Sequence, residues 1–354
     1  MNQNSASVRI GQNPQKESGA VNVPWTSRVV LPVHIPHRQG YFEQALEVLR
    51  LCLESLHLTT NQQVCVTVVA NGCSNEVLVE LQAMFQRRWI GQLLVSQINL
   101  GKVGAIAPIL RGATEELLAW SDCDVLFRPG WFEAVQEVFQ AFPECGAVTP
   151  FPAAHLHWEH TSATTLGALG SRCIAREPVV PVGDLESYSR SVGTPTLFRE
   201  EYKRSQWTVR RNGVQACIGA MHFVCCIRKG VVKGMPAGAS VAALRGKEDT
   251  DYLDLPADRL GYWRLSTCRG FVWHMGNTVD PWMIEHVDQM RRNGAKGLRQ
   301  QGVLPNLRRS WLSRLPLGLR RLGARALRHW LERSILKVLR SKLAASWRSP
   351  STCS

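Results

Sequence analysis

Between Arg28 and Thr149 the chain alternates short β-branched runs with amphipathic segments, and this alternation restricts it to few folds. Arg28–Ile35 (RVVLPVHI) and Val64–Ala70 (VCVTVVA) are apolar on both faces, as strands inside a covered parallel sheet are. Gln92–Ile98 reads as a third strand and Gly146–Thr149 as a short later one. Between them, Tyr41–Leu58 places Tyr41, Ala45, Leu49, Cys52 and Leu56 three or four residues apart, the stripe of a helix with one buried face. Asn75–Trp89, Lys102–Leu118 and Pro129–Phe142 read as further helices, the third leading into the strand before Asp122. Strands and helices of these lengths form βαβ units, and right-handed crossovers place helices on both faces of the sheet. The expected fold class is therefore α/β, with a mostly parallel central sheet flanked by helices.

A chain of 354 residues, 45% of them hydrophobic, can bury a sizeable core. The stretch from Phe151 to Ser240, with many Pro, Gly and His residues, reads as loops over that sheet. No Gly-x-Gly-x-x-Gly follows the first strand and no Gly-x-x-x-x-Gly-Lys-[Ser/Thr] occurs, which disfavours a dinucleotide dehydrogenase and a P-loop NTPase. The eleven cysteines include no Cys-x-x-Cys pair and read as free thiols in a reducing compartment. There is no signal-like N-terminus and no run of about 18 apolar residues, so a cytoplasmic location is expected.

Chemistry gathers in three places. Asp122 and Asp124 stand one residue apart, after an apolar stretch and before the turn at Pro129-Gly130. Carboxylates at the carboxyl end of a strand face the crevice where α/β sheets bind ligands. Two hard oxygen donors there suit Mg²⁺ or Mn²⁺ carrying the phosphates of a nucleotide. A second acidic group, Glu248-Asp249-Thr250-Asp251, could supply a base for an attacking hydroxyl. Further on, His274 ends the run Phe271-Val272-Trp273 and could join the two aspartates as a nitrogen ligand, a mixed set that fits Mn²⁺. Each group has a plainer reading: a solvated turn, an acid pair at a helix start, a core imidazole. Their order within one α/β chain gives them weight together.

That order resembles the family 2 glycosyltransferases, inverting enzymes of the GT-A fold, over about residues 28–280. The elements that carry the resemblance are Val68-Val69-Ala70-Asn71-Gly72-Cys73, Asn99-Leu100-Gly101-Lys102-Val103-Gly104-Ala105, Ser121 to Trp131, and Glu248 to Asp251 followed by Gly261-Tyr262 and His274. The resemblance implies a nucleotide-sugar donor with Mn²⁺ or Mg²⁺ as cofactor. Asp124, Asp122 and His274 would form the metal site, with Asp122 also serving the nucleotide sugar. Pro32, Asn71, Gly101 and Lys102 would lie on the nucleotide side. Asp249 would deprotonate the acceptor hydroxyl of a glycan or glycolipid, with Glu248 as the other candidate. Residues 27–285 would be the GT-A domain, divided into a nucleotide-sugar half (27–150) and an acceptor half (151–285). Residues 1–26 would be a mobile arm and 286–354 a helical basic extension. Two positions depart from the family pattern. Ala70 stands where the family has a base-contacting Asp, and Pro32-Val33-His34-Ile35 stands where it more often shows Pro-Thr-Tyr-Asn. A sugar nucleotidyltransferase, which shares a similar sheet, would need a Gly-rich basic loop that Pro32 to Gly40 does not supply. An inactive GT-A scaffold or peripheral membrane-binding protein is the alternative in another class.

The basic character sits at the end of the chain. Leu307 to Arg348 holds twelve Lys/Arg and one acid, Glu332, so net +11 of the chain's +14 lies there. Leu319, Leu322, Ala326, Trp330 and Leu331, then Ile335, Val338, Leu339 and Leu343, give an amphipathic helix rich in Arg. Such a helix suits the anionic face of a membrane, or packs its Leu stripe on the domain and leaves its Arg face in water. No nucleic-acid-binding module is recognisable, and no nucleic-acid partner is expected.

Overall fold

The computed structural model describes residues 11, 23–238, 240, 247–294 and 302–330. The N-terminal arm (except 11 and 23–26) and the whole of the basic tail beyond Trp330 lie outside them.

The first βαβ units form as expected. β1 (Ser27–Val33) is followed by α1 (Ala45–Thr59), β2 (Val64–Asn71), α2 (Asn75–Gln86), β3 (Gln92–Ser96), α3 (Gly101–Gly112) and β4 (Leu117–Ser121). β1 pairs in parallel with both β2 and β4, and β2 with β3. Alternation along β1 explains why it is apolar throughout. Val29, Leu31 and Val33 face the core with Leu46, Leu49 and Leu53 of α1, while Val30 faces Ile106 and Leu110 of α3. Each side chain of this kind, fully buried, contributes about 1.5–3 kcal/mol. α3 stops at Gly112, earlier than the helix expected through Leu118, because glycine disfavours helix and the next acids are drawn into pairs. Glu115 pairs with Arg28, and Glu116 with Arg228.

Beyond β4 come β5 (Val125–Phe127), α4 (Trp131–Ala141) and β6 (Cys145–Thr149). The stretch expected to be loops contains instead α5 (Ser162–Gly170), β7 (Ile174–Glu177), α6 (Val182–Ser191), α7 (Glu200–Arg204), β8 (Gln206–Arg211), β9 (Val214–Ile218) and β10 (Val224–Arg228). β8 and β9 form a hairpin across Asn212-Gly213, both with positive φ (51° and 80°), the turn whose twist matches a hairpin. A turn of π-helix (Asp249–Asp254) leads into α8 (Leu255–Leu260), then β11 (Trp263–Thr267), β12 (Val272–His274) and α9 (Pro281–Asn293). α9 spans the 285/286 boundary between the expected domain and its extension.

The main sheet has the order β3-β2-β1-β4-β10-β6-β11-β9-β8-β7. Its parallel character holds through β3-β2-β1-β4 and returns at β6-β11, while β10 runs antiparallel between β4 and β6 and the β9-β8-β7 side is antiparallel. β5 and β12 make a separate antiparallel ribbon. Residues 302–330 lie against the domain, with a helix over 317–330. Arg320 is buried under that helix and donates to the carbonyls of Ser313, Asp258 and Arg259. The inward side thus carries Arg320 and Gly323, which approaches Leu166, while Leu319, Leu322 and Trp330 are exposed. No helix among the described residues is long and apolar enough to cross a membrane, and their ten cysteines are all free.

Candidate functional site

Because β1, β2 and β4 are parallel, their carboxyl ends open on one edge of the sheet, and the site is built there. A cleft of about 370 Å³ is lined by Pro32, Asn71, Lys102, Asp122, Asp124, His222 and Asp249, with Tyr41 and Phe42 at one side. Larger concavities of about 680 Å³ and 1050 Å³ lie elsewhere, but neither contains any of these three aspartates.

Each part of the cleft has a local cause. Asn71 ends β2 with its side chain buried, and its amide organises the turn before α3. Asn71 Nδ2 donates to Asn99 Oδ1 (3.0 Å) and to the Gly101 carbonyl (3.3 Å), while Asn71 Oδ1 accepts from Leu100 N (2.7 Å). Asn99 Oδ1 in turn accepts from Gly101 N (2.8 Å), so two amides at the start of α3 are capped by side chains. Gly72 has φ +70°, and a Cβ there would stand 2.9 Å from Asn99 N, so only glycine lets the two loops meet. Gly101 also takes a positive φ, 74°, and hands the chain into α3. Lys102 follows in the first turn, and its ammonium pairs with Asp122 and donates to the His222 carbonyl at 3.3 Å. Burial works against the charge of Lys102, but Asp122 outweighs it, with Asp249 and Asp124 adding, and raises its pKa. Ala70, the departure from the family pattern, is fully buried in the main core; the residue of β2 that reaches the cleft is Asn71.

Asp124 is brought to its neighbour by the β5–β12 ribbon. His274 lies opposite Val125 in register, and Met275 N donates to the Asp124 carbonyl at 2.7 Å. His274 Nε2 stands 3.4 Å from Asp124 Oδ2. Burial raises the pKa of Asp124; His274 opposes this and Asp122 adds to it. Asp124 Oδ1 and His274 Nδ1 are both buried without a hydrogen-bond partner.

The expected metal set is therefore only partly assembled. Among the described residues, no group of three His, Cys, Asp or Glu is placed to hold a metal ion. Asp122 is taken by Lys102, which leaves Asp124 and His274 as the adjacent pair. That pair fits a divalent cation: one hard oxygen and one imidazole, with a buried carboxylate oxygen lacking a donor. Two ligands sharing an ion at about 2.1 Å lie roughly 3 Å apart, close to what is seen.

Asp249 opens the π-helical turn and lines the cleft, and its carboxylate has no hydrogen-bond or ion-pair partner among the described residues. Glu248 is not part of the cleft lining; its carboxylate accepts from Ser240 Oγ at 2.5 Å. Pro32 lines the cleft where β1 ends, beside His34, whose Nδ1 donates to the Asn71 carbonyl at 2.7 Å. Tyr41, His222 and Asn277 also line it and were not singled out from the sequence. His222 belongs to a buried-to-surface chain: its Nδ1 donates to Asp254 Oδ2 (3.0 Å), and Asp254 Oδ1 accepts from Arg264 Nη2 (2.7 Å). Burial would raise the Asp254 pKa, but Arg264 and His222 outweigh it and hold the carboxyl at about 2.

Residues 40–193 match the family model described as glycosyl transferase family 2. The match takes in Asn71, Gly101, Lys102, Asp122 and Asp124 and stops short of Asp249 and His274. Several solved structures are similar in outline. TarS 1–349 from S. aureus is 12% identical with a TM-score of 0.39, covering 77% of this chain and 67% of that one. The mannosyltransferase PcManGT from Pyrobaculum calidifontis, in complex with GDP-Man and Mn²⁺, is 13% identical with a TM-score of 0.40, covering 92% and 81%. The inositol-1-phosphate CTP transferase from T. maritima is 10% identical with a TM-score of 0.40, covering 77% and 99%. No curated protein matches the chain.

Proposed function

We propose that this chain, which carries a family 2 glycosyltransferase segment over residues 40–193, is a metal-dependent inverting glycosyltransferase. It moves a sugar from a nucleotide-sugar donor to a hydroxyl of a glycan or lipid-linked glycan. The observation that carries this reading is convergence. Lys102 from α3, Asp122 and Asp124 after β4, and Asp249 from the π-helical turn meet in one cleft at the carboxyl edge of the sheet.

Asp124 and His274 would hold the divalent cation, which when bound offsets charge on the departing nucleoside diphosphate. Lys102, held by Asp122 at the start of α3, presents a cation and a helix N-terminus to the same phosphates. Asn71 and Gly101 shape the backbone there, and Pro32 closes the nucleotide side. Asp249, with an unengaged carboxylate in the cleft, takes the proton from the acceptor hydroxyl as that oxygen attacks the anomeric carbon from the face opposite the leaving group. One displacement inverts the configuration. Glu248, tied to Ser240, is the less favoured base.

The test is turnover of a panel of nucleotide sugars by wild type and Asp249→Asn, read as nucleoside diphosphate released with acceptor present. Wild-type release that falls about a hundredfold or more in the variant is expected for loss of a general base. Equal rates in the two proteins would remove Asp249 from the mechanism.

The membrane side of this reading rests on the C-terminal helix. Leu319, Leu322 and Trp330 are 55%, 61% and 63% exposed, and Arg321, Arg325 and Arg328 lie on the same helix. An exposed Leu/Trp stripe beside arginines suits an anionic lipid surface, where a lipid-linked acceptor would be met.

A further inference from the structure

His222 lines the cleft but has no part in that mechanism. His222 immediately precedes Phe223 and β10, and the antiparallel pairing of β10 with β4 sets Val224 opposite Ser121. Asp122 N donates to the Phe223 carbonyl at 2.7 Å, so the His222 segment and the Asp122 segment run side by side at the sheet edge. From there a chain of three groups leads inward. The His222 side chain is 48% exposed, Asp254 is nearly buried, and Arg264 on β11 is buried within the domain. Arg264 Nη2 also donates to the Ala220 carbonyl (2.7 Å), two residues before His222, and so ties the loop as well as the carboxylate. The His222 ring is fixed through Nδ1, and Nε2 has no hydrogen-bond partner among the described residues.

We propose that His222 is a donor-contacting residue: with Nδ1 held by Asp254, its Nε2 donates a hydrogen bond to the diphosphate of the nucleotide sugar. This rests on the nucleotide-sugar reading of the cleft.

The cleft is lined by three carboxylates, Asp122, Asp124 and Asp249. Against them stand Lys102 and His222, which are neighbours: Lys102 Nζ donates to the carbonyl of His222 itself. The diphosphate is the anionic part that nucleoside-diphosphate sugars share, so it belongs where the donors gather. A buried arginine–carboxylate pair is expensive to desolvate, more so than an apolar pair of the same volume. Here its visible result is one imidazole held by Nδ1 in a fixed orientation at the cleft. The charged groups that bear on His222 are Asp254, Lys102, Asp122 and, behind Asp254, Arg264. The hydrogen bond that His222 Nδ1 donates to Asp254 raises the His222 pKa and outweighs desolvation, which favours the doubly protonated ring that can also donate at Nε2.

The experiment is calorimetric titration of the full chain with UDP, GDP, CDP and dTDP, and with the four matching nucleosides, with Mn²⁺ present. Wild type, His222→Gln and His222→Lys are compared. For the diphosphate that binds wild type, His222→Gln should weaken affinity about tenfold, the scale of one charge-assisted hydrogen bond. The nucleoside should bind the variant as it binds wild type, because the contact is to phosphate. His222→Lys should recover most of the loss. A diphosphate affinity in His222→Gln within about twofold of wild type overturns the role of His222 and leaves the donor site intact. Equal weakening for nucleoside and diphosphate also overturns it, since the effect would then be on the shape of the cleft. If no diphosphate binds wild type, the donor reading falls, and the His222 contact with it.

Discussion

His274 Nε2 lies 3.4 Å from Asp124 Oδ2, although 150 positions of sequence separate the two. The link is the short ribbon of β5 and β12, which pairs His274 with Val125, the residue next to Asp124. Replacing His274 with alanine should therefore change metal affinity without disturbing the Asp122–Lys102 pair. Mn²⁺ titration, followed by the broadening it causes in the NMR signals of added nucleotide, should show at least about tenfold weaker metal binding in His274→Ala. Unchanged Mn²⁺ affinity would remove His274 from the metal site.

Arg264 and Asp254 should be coupled in stability. Truncating Arg264 to alanine leaves a nearly buried carboxylate facing only His222, and breaking such a pair costs about 3–5 kcal/mol. Arg264→Ala should unfold at markedly lower denaturant than wild type, with Arg264→Ala/Asp254→Ala losing less than the two single losses combined. Additive losses would mean that the pair does not interact in solution.

The same carboxylate sets an acid limit. Its folded pKa, about 2, lies below the ordinary 3.8, so its contribution is present above about pH 4 and is lost as pH falls toward 2. His222 has the opposite sign: its raised folded pKa contributes stability below about pH 6.5 that is lost as pH rises through the folded value. Melting temperatures of wild type and His222→Gln should therefore differ most below about pH 6.5 and converge as pH rises through the raised folded pKa of His222. A gap that widened with pH would contradict the assigned pair.

Asn71 illustrates how a cleft residue can serve the backbone. Asn71→Ala removes three hydrogen bonds of a buried side chain and strands the Leu100 amide. A loss of about 2–4 kcal/mol is expected, accompanied by faster hydrogen exchange at residues 99–101. Full stability with weakened nucleotide binding alone would make Asn71 a ligand contact and not a brace.

If the exposed Leu/Trp stripe docks on lipid, Leu319→Glu/Leu322→Glu should release the full chain from anionic vesicles while cleft function persists. Co-sedimentation with phosphatidylglycerol vesicles reads this directly. Retention of the variant on the vesicles would place membrane contact elsewhere or nowhere on this helix.

The first four strands and their helices were legible because β-branched runs and helical spacing are local signals. The Asp122/Asp124 turn was legible because it follows the parallel strand that must end at the crevice. The β8–β9 hairpin left a local trace, Asn212-Gly213, but it sits inside a weakly polar run that hides the alternation of the strands. β10 was beyond reach for a different reason. Its antiparallel insertion between β4 and β6 is a tertiary choice, and it is what carries His222 to the cleft. Nothing local links His222 to Asp254 or Arg264, since the partners arrive from separate elements. Ala70 is buried in the core at the end of β2, and the next residue, Asn71, is the one that lines the cleft. For the tail, periodicity left two placements of the leucine stripe open, on a membrane or on the domain; the described part buries Arg320 against helix-end carbonyls and leaves Leu319 and Leu322 outside.

The central claim is a nucleotide site that needs a metal held by Asp124. The most direct measurement is the thermal midpoint of wild type and Asp124→Asn with UDP, GDP, CDP or dTDP at millimolar concentration, each with Mn²⁺ and with EDTA. A ligand that binds only the folded state raises the midpoint by mass action. The account predicts that one nucleotide stabilises wild type with Mn²⁺, does so far less with EDTA, and has little effect on Asp124→Asn under either condition. Equal stabilisation of both proteins, or equal stabilisation with and without Mn²⁺, would contradict it.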